Sequence, residues 1–134
     1  MNSSTPEDLE IVPRRLHAAL PAQMQRHWHG GDAFKSHLFN AMSVLFPEGE
    51  RFFIHSVRHF REQIQDPHLL AQIRGFIGQE GHHSREHELY NQRLRDLGYD
   101  IDYLERPVKR RIAFIKKRFS PEAMLAGTCA VEHF

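Results

Sequence analysis

A single cysteine, Cys129, stands in a chain of 134 residues. One thiol excludes an internal disulfide framework and any thiolate-rich zinc or iron–sulfur site, and it fits a reducing compartment. Long apolar runs are missing as well, since no stretch reaches the roughly 18 residues of a membrane span. The polar start, Met1-Asn-Ser-Ser-Thr-Pro-Glu-Asp, lacks the apolar segment of a signal peptide. Net charge is nearly absent: 18 Lys and Arg against 17 Asp and Glu give +1. Bulk charge therefore points to neither a nucleic-acid nor a membrane partner. These absences leave a soluble cytoplasmic protein as the expectation. What the chain has in plenty is histidine, with 11 residues.

The length suits one domain with a real core. Residues 1–31 have no sustained period and are broken by Pro6, Pro13, Pro21 and Gly30-Gly31, so they read as an extended arm lying on the domain. His27-Trp28-His29 in that arm reads as packing around an aromatic rather than as a ligand set. Residues 32–134 read as an all-α helical bundle. Asp32 caps a first helix with Phe34, Leu38, Ala41 and Leu45 inward, ended or kinked by Pro47. A second helix from Pro47 to Gln65 has Glu50, Phe53, Ile54, Val57, Arg61 and Ile64 inward. Asp66-Pro67 opens a central helix that runs to about Leu97 and stops at Gly98. Gly75, Gly78 and Gly81 weaken it by about 1 kcal/mol each, which predicts close approach of a neighbouring helix or local distortion. Pro107 opens a shorter helix with Val108, Ile112, Ile115 and Phe119 inward and a basic, solvated outer face. Ser120-Pro121 opens the last one, with Leu125, Thr128, Cys129 and Glu132 on one stripe and Cys129 as a small buried hydrophobe.

The central helix carries the chemistry. At about 100° per residue, Leu69, Ile73, Phe76, Ile77, Glu80, His83, Ser84, His87, Asn91 and Leu94 share one face. That stripe is apolar at both ends and polar in its middle. Carboxylates and imidazoles in a core are costly unless they are paired or bind a metal. A dinuclear iron or manganese site in a four-helix bundle uses one Glu from one helix and Glu-x-x-His from its neighbour, repeated once. Glu50 supplies the first part, Glu80 and His83 the second, and Glu132 begins the opposite pair. His87 is a further candidate ligand.

Phe-Pro-Glu-Gly-Glu-Arg-Phe-Phe (46–53), Gln79-Glu80-x-x-His83-x-x-x-His87 and Val-Glu-His-Phe (131–134) resemble the ferritin-like family of predicted metal-dependent hydrolases. His27-Trp28-His29 and Asn40-Ala-Met-Ser fit the same resemblance. It implies a ferritin-like bundle with a metal centre held by Glu50, Glu80, His83 and Glu132, with His87 as an extra. Two divalent ions are expected, iron first, manganese or zinc otherwise, in a di-iron oxidase or oxygenase or a metal-dependent hydrolase. No second Glu-x-x-His is found here. The chain therefore reads as the front of a longer one, cut before its last ligand helix. The competing expectation is a homodimer that covers Phe53, Val57, Phe76 and Ile77 and completes the site. Two other readings compete. His83-x-x-Glu86-His87 matches a mononuclear zinc pattern in which Glu86 activates water. A non-catalytic helical interaction protein would let the buried Glu and His satisfy each other.

Overall fold

The computed structural model describes residues 10–15, 20, 21 and 23–133. The first nine residues with Pro6, and Phe134 at the other end, lie outside them. Among the described residues the regular structure is helical: α1 (Ala33–Phe60), a short 3-10 turn (Arg61–Gln63), α2 (Pro67–Asp96), α3 (Ile101–Arg118) and α4 (Pro121–His133). The expected all-α fold is what the chain adopts. Helix α1 is the hub and packs against α2, α3 and α4.

Pro47 neither ends nor divides α1, which continues for 28 residues with the proline inside. A proline lacks the N–H that would bond the carbonyl four residues earlier, here that of Ser43. Asn91 of α2 replaces it, donating from Nδ2 to the Ser43 carbonyl at 3.1 Å. The first half of α1 also turns the other way from expectation. Phe34, Leu38 and Leu45 are exposed, whereas Ser36, Asn40, Ser43, Val44 and Pro47 are buried. Small and hydrogen-bonding side chains make the contact with α2, so the apolar stripe faces outward.

Helix α2 begins and ends where its signals lie. Asp66 accepts from His68 N at 2.9 Å, with Pro67 in the first turn. At the other end Gly98 has φ +86°, Tyr99 N bonds Leu94 O at 3.1 Å and Gly98 N bonds Arg95 O at 2.9 Å. That pair of bonds closes the helix with a left-handed glycine. The close approach at Gly75 and Gly78 comes from the N-terminal arm, not from a helix. A methyl on Gly75 would lie 2.7 Å from Ile11 Cβ, and one on Gly78 would lie 2.8 Å from Pro13 Cγ.

Helix α3 starts six residues before Pro107. Asp100 caps it by accepting from Tyr103 N at 2.9 Å, and Pro107 sits inside on the exposed side. Val108, Ile112 and Ile115 are half-buried, while Phe119 is exposed. Ser120 caps α4 through Ala123 N at 3.2 Å. Met124 and Thr128 are its buried residues, and Cys129 is exposed rather than buried. Trp28 donates its indole N–H to Asn40 Oδ1 at 3.0 Å, and His29 stacks on Phe39 at 5.4 Å, so this part of the arm packs. No helix among the described residues is long and apolar enough to cross a membrane.

Candidate metal centre

Glu50 stands one turn after Pro47 on the inward side of α1. Glu80 and His83 stand three residues apart in the middle of α2, on one face by the helix period. One ligand atom from each of the three falls within 4.8 Å of the others. Glu50 and Glu80 are 6% and 5% exposed, so neither carboxyl is solvated enough to be an ordinary surface acid. His83 Nδ1 lies 3.3 Å from Glu80 Oε1. The buried oxygen Glu50 Oε2 has no hydrogen-bond partner.

Electrostatics follow from this crowding. Burial, then the neighbouring Glu80 and Glu132 charges, push the Glu50 carboxyl up to about 8. Burial and Glu132 likewise raise Glu80, opposed by its contact with His83. Two buried carboxyls that resist ionisation beside an imidazole form a donor set that a cation would stabilise. The residues fit a divalent ion with oxygen and imidazole preference, which includes iron, manganese and zinc.

The remaining predicted residues lie around this group. Glu132 is close enough to perturb both carboxyls, yet it is exposed and outside the group of three. His87 is also outside it, with Nε2 3.8 Å from Glu50 Oε1 and Nδ1 3.1 Å from Ser43 Oγ. Burial and then the His83 charge hold His87 below its ordinary pKa, which favours the neutral ring. Glu86 lines a cavity with His87, and His83, Glu86 and His87 do not form a grouping of their own among the described residues.

Three further residues, Gln79, Ser43 and Asn91, hold the imidazoles around the site. Gln79 accepts from Arg14 N at 2.8 Å and places its amide nitrogen 2.7 Å from His83 Nε2, so it links the arm to the imidazole. With the Arg14 N–H on Oε1, the amide N–H faces His83 Nε2 as donor, and Nδ1, the ring nitrogen toward Glu80, carries a proton that a bound ion would have to displace. Ser43 and Asn91 tie the His87 ring to the backbone of α1. Asn91 was visible on the polar stripe, but Gln79 lies off it, and its role depends on an arm that periodicity cannot place.

No curated protein and no solved structure matches the chain. A family model described as "predicted metal-dependent hydrolase" matches residues 12–134, a span that contains every candidate ligand above. The chain belongs to that family of predicted metal-dependent hydrolases.

Proposed function

We propose that this protein is a metal-dependent hydrolase of a small organic substrate, with Glu50, Glu80 and His83 as the core ligands and Glu132 as an adjoining one. The observation that carries the reading is the convergence of two buried carboxyls and one imidazole within 4.8 Å, with Glu50 Oε2 unpartnered. A bound divalent ion would polarise a substrate carbonyl and lower the pKa of water. The chain's own residues set the conditions for that chemistry. Glu50 and Glu80 supply negative charge once their protons are displaced, and Gln79 holds the His83 ring in one orientation. His87, kept neutral by burial, stands beside Glu50 as a proton acceptor.

The same carboxylate excess favours a second, finer reading. Glu132 near Glu50 and Glu80 makes three acids around one imidazole, a set suited to two bridged ions in a ferritin-like bundle. Iron in such a site would support oxidation instead of hydrolysis. The zinc alternative built on His83, Glu86 and His87 leaves the buried Glu50 and Glu80 without a role. Glu80→Ala tests the shared core of both main readings. It is expected to lose bound metal by elemental analysis while keeping its helical circular dichroism. Undiminished metal in that variant would contradict the assignment.

A further inference from the structure

A cavity of about 270 Å³ opens beside the candidate metal centre. His87 belongs to its lining, and the Nε2 of that ring lies 3.8 Å from Glu50 Oε1. Trp28, Phe39, Met42 and Phe46 make the walls largely aromatic and apolar. The polar groups in the lining can be accounted for one at a time. The Tyr90 hydroxyl donates to Asn40 Oδ1 at 2.5 Å, and the Trp28 indole N–H donates to the same oxygen at 3.0 Å. Neither donor is left for a ligand.

Ser43 decides the state of His87. Asn91 uses its amide N–H on the Ser43 carbonyl, which turns its Oδ1 toward the Ser43 hydroxyl at 2.9 Å. With its hydrogen donated to Asn91, Ser43 Oγ meets His87 Nδ1 at 3.1 Å as an acceptor. Nδ1 therefore carries the ring proton and Nε2 keeps a lone pair. The other polar lining group, Glu86, is a carboxylate and also accepts. The polar groups left for a ligand are acceptors, and the rest of the wall is apolar.

We infer that this cavity holds the organic part of the substrate and selects a compact, neutral, apolar body bearing one hydrogen-bond donor, as a primary carboxamide does. The substrate class rests on the hydrolase reading above; the binding preference rests on the cavity alone. An amide N–H can meet the acceptors while its carbonyl stays available for attack. A carboxylate end is repelled by the Glu86 carboxylate in the lining. An ester end leaves the acceptors without a donor. In hydrolysis the oxygen of water bonds to the carbonyl carbon and the C–N bond breaks. One water proton goes to the leaving nitrogen to make ammonia, and the proton of the acid formed passes to it as well, so ammonium and a carboxylate are the products. The carboxylate product is then the species the cavity holds worst, which favours its release.

Trp28 is the chain's one tryptophan and lines the cavity, so its emission reports occupancy. Three probes share a cyclohexyl body and are transparent where tryptophan is excited: cyclohexanecarboxamide, its methyl ester analogue and cyclohexanecarboxylate. Titrated into the metal-free full chain, the carboxamide is expected to shift Trp28 emission saturably. The ester should bind about fivefold more weakly, the size of one hydrogen bond. The carboxylate should bind the wild type at least about tenfold more weakly than the carboxamide, and Glu86→Gln should recover about tenfold by removing the nearest negative charge. Equal affinity for all three probes, or no emission change with any of them, would overturn the proposal. Because no metal is present, a failure here leaves the Glu80→Ala result standing, and loss of the metal assignment leaves the cavity preference standing.

Discussion

Glu50 concentrates the electrostatics of the site in one side chain. In the unfolded chain its carboxyl titrates near 4.5, whereas burial and the nearby Glu80 and Glu132 charges move it to about 8 in the fold. Between those values the folded protein binds more protons than the unfolded chain. Stability of the metal-free protein is therefore greatest toward the acid end of that window and falls as pH rises through it. A metal ion that takes Glu50 must displace the same proton, so affinity rises with pH over the same interval. Calorimetric metal titrations in two buffers of different ionisation enthalpy should show proton release at pH 7 that fades above pH 9. Glu50→Gln should flatten the pH dependence of the metal-free protein's melting temperature. No proton release at pH 7 would mean that Glu50 is already ionised in the fold.

At the scale of elements, the bundle depends on a few substitutions for missing backbone groups. The Ser43 carbonyl loses its helical partner at Pro47 and regains one from Asn91. Asn91→Ala should therefore cost about 2 kcal/mol in urea unfolding, because it strands a buried carbonyl and breaks the bond to Ser43 Oγ. Pro47→Ala restores the N–H, so the same substitution in that background should cost clearly less. Additive costs would show that the two residues do not share the carbonyl. The glycines of α2 separate in the same way. Gly81 has nothing within 4 Å of an added Cβ, so Gly81→Ala should stabilise by up to about 1 kcal/mol through helix propensity. Gly75→Ala would push against Ile11 and should destabilise, with faster trypsin cleavage after Arg14 and Arg15 as the arm lifts. If both variants gain stability, the arm does not seat on α2.

These elements also show what periodicity could and could not reveal. Glu80 and His83 are legible because residues three apart on a helix share a face and neither suits a core. Glu50 was legible because it fell among apolar neighbours on the inward side. The first half of α1 departs from its apolar pattern because its inward face is built from Ser36, Asn40 and Ser43, whose value lies in partners on α2 and in the arm. Pro107 signals a helix start because proline favours first turns, but Asp100 caps α3 earlier and the proline sits on its exposed side. The role of Gln79 needs a contact across 65 residues, which no local pattern contains.

On the scale of the whole molecule, three helices gather on α1 and leave two apolar regions. Phe34, Leu38 and Leu45 form an exposed stripe on the outer side of α1, a surface able to favour self-association. Between α1, α2 and α4 a cavity of about 380 Å³ includes Val57, Phe76 and Thr128, with Glu132 at its lining and Ile11 of the arm reaching into it. Phe53, Val57, Phe76 and Ile77 are half-buried, so the expected dimer face is less bare than the α1 stripe. Both regions bear on assembly, whereas the function proposed for the protein depends on the metal. The most direct measurement is elemental analysis of protein purified without chelator, followed by equilibrium dialysis against iron(II), manganese(II) and zinc(II). At least one bound ion per chain is expected, two for the bridged reading, lost in both Glu50→Gln and Glu80→Ala. A folded chain that takes up none of the three, or that binds them equally well without Glu50 and Glu80, would contradict it.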